Sequence, residues 1–210
     1  MKWNAEYTLY LVTDRGLMST DTLSEAVEQA VLGGCTMVQL REKTADSRAF
    51  YDEALRIKAV TDKHEVPLII NDRVDIALAV DAAGVHVGQS DLPANVVRRM
   101  VGPDKLVGVS VGSVAEAQKA KRDGADYLGI GAMYVTATKK DAEVVSFETL
   151  TRIRQEVDLP NVVIGGINET TAPRFSKRVT DGLAVVSAII AQPDIQAAAR
   201  HLRAMFEGNA

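Results

Sequence analysis

The chain has 210 residues, 47% hydrophobic and 25% charged, with 28 acidic side chains against 24 Lys and Arg and a formal charge of −4. That is the composition of an ordinary globular domain able to bury a substantial core, and residues 1–210 are expected to form one domain. The acidic balance and the lack of a basic block argue against nucleic acid as the main partner, and the single Cys35 excludes an internal disulfide and any multi-Cys metal site.

The N-terminal stretch "MKWNAEYTLYLVTD" carries no basic region followed by a signal-type apolar core. No stretch reaches the roughly 18 to 20 apolar residues that cross a bilayer. A cytoplasmic protein without a membrane partner is the expectation. Short β-rich apolar runs then recur along the chain: "LYLVT" (9–13), "MVQL" (37–40), "LIIN" (68–71), "GVHV" (84–87), "LVGVS" (106–110), "YLGI" (127–130), "VVIG" (162–165) and "LAVVS" (183–187). A loop and a segment of helical spacing follow each one.

Two helix starts read as capping boxes, Thr22 with Glu25 and Ser113 with Glu116. Phe50, Ala54, Ile57 and Thr61 share a face, as do Phe147, Leu150, Ile153 and Val157, and in the last helix Ile195, Ala198, Leu202 and Met205. The third and fourth helices, about 73–82 and 94–101, are short. Strand–helix alternation implies a parallel sheet with right-handed crossovers. Eight units predict an α/β fold of the (β/α)8 TIM-barrel type, with eight parallel strands inside eight helices. A doubly wound open sheet is the alternative, but no second domain accompanies the eight units. "GIGAMY" stops short of a dinucleotide fingerprint.

In such a barrel the active site lies where the strands end. Gln39, Arg41 and Lys43 follow strand two, Asn71 and Asp72 strand three, and Asp91 strand four. Ser110 closes strand five, "TATKKD" (136–141) follows strand six, Gly165 and Gly166 strand seven, and Val186-Ser187 strand eight. Asp72 and Asp91, from neighbouring strands, can share a Mg2+ ion, which takes one or two carboxylates and completes its shell with water and phosphate. Arg41, Lys43, Lys139 and Lys140 suit a polyphosphate. Gly165-Gly166 and the end of strand eight match a barrel monophosphate site. Together these suit a transferase with a phosphorylated acceptor and a diphosphate leaving group.

Each element also has a structural reading. Asp72 can cap a helix beginning at Arg73, and Asp91 before Leu92-Pro93 can start helix four. Arg41 and Lys43, like Lys139-Lys140, can be solvated charges, and the glycine pair a tight turn. His86 reads as a satisfied residue inside the barrel, His64 and His201 as surface helix residues. Ser110, with no evident His–acid relay, is a poor nucleophile.

The order "LYLVTD", "VQLREK", "IINDRVDIALAVDAAGVHVGQSDLP", "GVS", "TATKKD", "VVIGGI" and "AVVSAI" resembles the thiamin phosphate synthase family over about residues 9–190. The resemblance implies a (β/α)8 barrel that joins 4-amino-2-methyl-5-(diphosphooxymethyl)pyrimidine to 4-methyl-5-(2-phosphooxyethyl)thiazole, releasing diphosphate. It further implies Asp72 and Asp91 as magnesium ligands. Gln39, Arg41, Lys43, Asn71, Ser110 and Lys139 would meet the pyrimidine diphosphate, with Ser110 and Lys139 nearest the chemistry. Thr136, Thr138, Gly166, Val186 and Ser187 would receive the thiazole phosphate. The implied partners are these small phosphorylated substrates, with a homo-oligomer left open. Where the family carries prolines in the loop after strand six, this chain has Ala132 and Val135, so that loop is expected to be freer. A thiazole tautomerase-like barrel is the nearest alternative. That branch tends to lose the Asn-Asp pattern and to carry a histidine just past the strand-five serine, where this chain has Gly112. A barrel that binds phosphorylated ligand without catalysis is the other.

Overall fold

Eight short runs of apolar residues become eight strands because each is buried on both faces, against helices outside and against other strands' side chains within. The computed structural model describes residues 5–136 and 143–208; Thr138, Lys139 and Lys140 lie outside the described residues. The strands are β1 (Leu9–Val12), β2 (Met37–Leu40), β3 (Leu68–Asn71), β4 (Gly84–Val87), β5 (Leu106–Val111), β6 (Tyr127–Ile130), β7 (Asn161–Val163) and β8 (Gly182–Val185). Each pairs in parallel with the next, and β8 closes on β1, so the sheet has no free edge. Four of the eight runs have the bounds expected from sequence, and the others differ at their ends by one or two residues.

The helices are α1 (Leu23–Leu32), α2 (Ser47–Lys63), α3 (Val74–Ala79), α4 (Ala94–Val101), α5 (Val114–Arg122), α6 (Phe147–Glu156), α7 (Ser187–Ile190) and α8 (Ile195–Gly208). Their spacing along the chain is uneven. Between β7 and β8 stands only a 3-10 turn, Ala172–Arg174, whereas β8 is followed by both α7 and α8. Pro173 cannot donate to a helical ladder, which suits a single turn there. No described helix is long and apolar enough to cross a membrane.

Side chains alternate across each strand, producing two cores. Leu9, Leu11, Val38, Leu40, Ile70 and Val85 face the helices in the larger one. Tyr10, Val12, Met37, Ile69, Leu106, Tyr127, Val162 and Ala184 fill the barrel itself. Burial of each large side chain contributes roughly 1.5–3 kcal/mol. In α2 the expected face of Phe50, Ala54, Ile57 and Thr61 is fully buried. In α6 Leu150 and Ile153 are buried, as is Val157 at its C-terminal cap, while Phe147 is only half-buried and stacks on Phe175 with ring centroids 5.2 Å apart.

In α8 the buried stripe is Ile195, Ala199, Leu202 and Phe206, so Ala198 and Met205 stand at its margin. Both assignments fit helical spacing; the docked orientation favours burying the Phe206 ring. The capping boxes form by half. Thr22 and Ser113 accept from the amides of Glu25 and Glu116, each at 3.2 Å. Glu116 then accepts from the Gly112 amide at 2.6 Å, one residue beyond the cap. Glu25 instead accepts from the Gln29 side chain at 3.4 Å.

Candidate active site

Strand parity decides what reaches the C-terminal mouth. Because Met37, Ile69 and Leu106 point into the barrel, Gln39, Asn71 and Ser110 do so as well, nearer the mouth. Arg41 takes the next inward position after β2, and Val186 the next after Ala184.

Asp72 sits immediately past β3 with φ +62°, a left-handed conformation that Asp tolerates better than most residues. Its amide donates to the His86 carbonyl at 2.8 Å, tying the end of β3 to β4. The helix-cap reading of Asp72 is not realised: α3 begins at Val74, with Arg73 at the cap position and no side-chain cap bond. Its carboxylate meets Lys43 Nζ at 2.5 Å. Asp91 likewise stands outside α4, which starts at Ala94 after Pro93, and its Oδ2 accepts from the Gly88 amide at 2.7 Å.

The acids from β3 and β4 meet. Burial pushes the Asp72 carboxyl above its ordinary range, Lys43 opposes the rise, and the nearby Asp91 carboxylate adds to it. Two carboxylates held together in this way fit a cation such as magnesium, which needs only one or two protein oxygens. Among the described residues no group of three or more His, Cys, Asp or Glu forms a fuller cage.

On the same side, Arg41 Nη1 lies 3.5 Å from Asp14, and its amide donates to Thr13 Oγ1 at 3.0 Å. Glu42, between Arg41 and Lys43 in sequence, is claimed by Arg15 at 2.9 Å, which also meets Glu53 at 3.2 Å. That brace fixes the loop carrying the two cations.

Across the mouth the chemistry changes from side chains to backbone. Gly165 and Gly166 adopt φ +95° and +68°. A Cβ at Gly166 would stand 2.7 Å from that of Tyr134, so the turn and the loop after β6 approach too closely for a side chain. The Tyr134 amide donates to the Gly165 carbonyl at 3.1 Å. Val186 precedes α7, whose first residue, Ser187, is exposed. A helix start leaves amides without intrahelical acceptors. Thr136, in the segment after β6, is half-buried.

One constellation escaped the sequence reading. His86 is a partnered residue inside the barrel as expected, but Ser110 does have a histidine: His86 Nε2 lies 2.9 Å from Ser110 Oγ. Behind it, Nδ1 lies 3.1 Å from the Tyr127 hydroxyl, a phenol where a hydrolase relay has a carboxylate. The nucleophile reading stays unsupported, for that different reason. Gln39 lies deeper than a rim residue, 5% exposed, and its Nε2 donates to the Tyr10 hydroxyl at 2.9 Å. The signal available in the sequence was parity: "GVHV" and "LVGVS" put His86 and Ser110 on one face of adjacent strands.

At the opposite end of the barrel a cavity of about 400 Å³ is lined by Lys58, Asp62, Asp81, Asp104 and Lys105 among others. Lys58 pairs with Asp62 at 2.6 Å and Lys105 with Asp81 at 2.5 Å, and that face carries none of the strand-end residues.

The family model described as thiamine monophosphate synthase matches residues 9–189. The thiamine-phosphate synthase of Clostridium beijerinckii is 61% identical over 206 residues, 98% of this chain and 99% of that protein. That of Ruminiclostridium cellulolyticum is 60% identical over 210 residues, the whole of both chains. The solved thiamine phosphate pyrophosphorylase from Pyrococcus furiosus superposes with a TM-score of 0.87 at 38% identity, covering 95% of each chain. A 3-hexulose-6-phosphate synthase, at 22% identity and a TM-score of 0.68, shares the fold alone.

Proposed function

Because the chain belongs to the thiamine monophosphate synthase family, we propose that its rim joins a pyrimidine methyl diphosphate to a thiazole phosphate within a single domain spanning residues 1–210. The activity is that of a transferase, thiamine-phosphate synthase. One observation supports the residue assignment: Lys43 Nζ bonds the Asp72 carboxylate at 2.5 Å, and the Asp91 carboxylate stands beside Asp72.

Asp72 and Asp91 would hold Mg2+, which would supply positive charge to the diphosphate when bound. Arg41 and Lys43, with Lys139 by the resemblance, bind the diphosphate oxygens. Asn71 and Gln39 line the wall below, and Ser110 faces the reacting end. Thr136, Gly166, Val186 and Ser187, with Thr138 by the resemblance, receive the thiazole phosphate. The Lys139 and Thr138 assignments lie outside the described residues.

The bond from the pyrimidine methylene carbon to oxygen breaks, and its electron pair leaves with diphosphate. The electron-rich aminopyrimidine stabilises the methylene cation, and the thiazole nitrogen donates its lone pair to form the new C–N bond. Cations placed where charge grows on the leaving oxygen are worth several kcal/mol in a water-poor cleft. Fixing the two anionic tails at opposite sides of the mouth supplies the proximity. The reading is of a cytoplasmic enzyme of small molecules, with no role for nucleic acid.

Mixing both substrates with Mg2+ is expected to release diphosphate and form thiamin phosphate, and EDTA to abolish both. Binding without diphosphate release would leave a silent barrel; undiminished turnover in EDTA would remove the metal from the assignment.

A further inference from the structure

Ser110 stands at the end of a chain of buried hydrogen bonds that crosses the barrel beneath the mouth. Gln39 from β2 donates its Nε2–H to the Tyr10 hydroxyl at 2.9 Å. The Tyr10 and Tyr127 hydroxyls are 2.9 Å apart. Tyr127 meets His86 Nδ1 at 3.1 Å, and His86 Nε2 meets Ser110 Oγ at 2.9 Å. Five side chains from five strands are thereby joined. Tyr10 and Tyr127 are 1% and 0% exposed, and burial pushes both phenols above their ordinary range, so each keeps one proton.

The strands are built to house this chain. A Cβ at Gly108 would fall 2.2 Å from Tyr127 Cζ and 2.4 Å from His86 Nδ1, and one at Gly129 would fall 3.1 Å from His86 Cε1. Any larger residue at Gly108 displaces both rings.

With the Gln39 amide oriented Nε2 toward Tyr10, proton counting gives the chain a direction. Tyr10 accepts from Gln39, so its own proton must go to Tyr127. The reverse would leave a buried hydroxyl proton without an acceptor, an arrangement folded proteins avoid. Tyr127 then donates to His86 Nδ1. That fixes the imidazole with its proton on Nε2, which donates to Ser110 Oγ.

We infer that His86 is a positioning residue whose Nε2–H occupies the Ser110 oxygen from behind and turns the Ser110 hydroxyl proton outward, making Ser110 a hydrogen-bond donor to the bound diphosphate substrate. The inference rests on the reading of the mouth given above. Within it, Ser110 cannot serve as a base toward the interior, and its proton is pre-aimed where negative charge develops.

The test has a spectroscopic and a kinetic arm. In the full-length protein with 15N-labelled histidine and no substrate, the His86 ring signals, assigned by their loss in His86→Gln, are expected to report a neutral ring protonated on Nε2. Tyr127→Phe removes the donor to Nδ1 and is expected to shift the Nδ1 signal toward that of a ring nitrogen accepting no hydrogen bond. A ring protonated on Nδ1, or one unmoved by Tyr127→Phe, would overturn the inference. In steady-state kinetics His86→Leu is expected to lower kcat on the order of tenfold, the scale of one hydrogen bond, with the thiazole phosphate KM unchanged. His86→Gln, whose amide can still donate, should recover part of the loss. Equal losses in two folded variants would sink the positioning role. The tautomer is read without turnover, so its failure is distinct from a failure of wild-type diphosphate release, which would strike the functional reading.

Discussion

The two sides of the mouth offer different physics to the phosphate groups proposed to bind there. From β2 to β4 the site is made of charged side chains: Arg41 and Lys43, with Asp72 and Asp91 opposite and Asp14, Glu42 and Arg15 holding them in place. From β6 to β8 it is made of backbone: a glycine pair at positive φ pressed against the loop after β6, and the start of a four-residue helix. A diphosphate that must leave during the reaction suits the first arrangement, where counter-charges respond to charge that grows. A phosphate that only anchors its substrate suits the second, where shape and fixed dipoles hold a constant charge.

The largest effect should come from the charged side. Asp72→Ala is expected to lose on the order of 10²-fold or more in kcat/KM, the scale of one well-placed electrostatic group. Near-normal activity from a folded variant would break the metal assignment. On the other side, Ser187→Glu sets a negative charge beside the proposed monophosphate site. It should weaken thiazole phosphate binding by about tenfold or more, equivalent to about 1.4 kcal/mol, and more than it weakens the pyrimidine diphosphate. Calorimetry with each ligand separately would read the difference, and equal weakening would show the two anion sites to be exchanged or merged. The smallest effect on ligand binding belongs to the backbone itself. Gly166→Ala forces a side chain into a left-handed turn against Tyr134, so urea unfolding should show a loss of about 1–2 kcal/mol and the thiazole phosphate KM should rise modestly. An unchanged midpoint would mean the turn can relax.

Much of this was legible from residues alone. Strands β2, β3, β4 and β6 have the bounds that their apolar runs imply, because a short run of β-branched and aliphatic residues buried on both faces has few alternatives. The acids at positions 72 and 91 stood out because nothing in a buried strand calls for a carboxylate at its end. The helix between β7 and β8 was not legible as absent, since a 3-10 turn and a short helix share the same local signals around Ala172-Pro173. The burial of Phe206 in place of Met205 depended on how α8 rolls against the barrel, which local spacing does not set.

The sequence by itself determined the period of the elements, and with it the parallel barrel and the placement of the described strand-end residues at one rim. Only the tertiary structure decided that Asp72 turns through a left-handed conformation to meet Lys43 and Asp91, and that Gln39, Tyr10, Tyr127, His86 and Ser110 join across the barrel. Periodicity is a property of neighbours along the chain, whereas those bonds unite side chains up to 117 residues apart, whose meeting depends on strand register and ring packing.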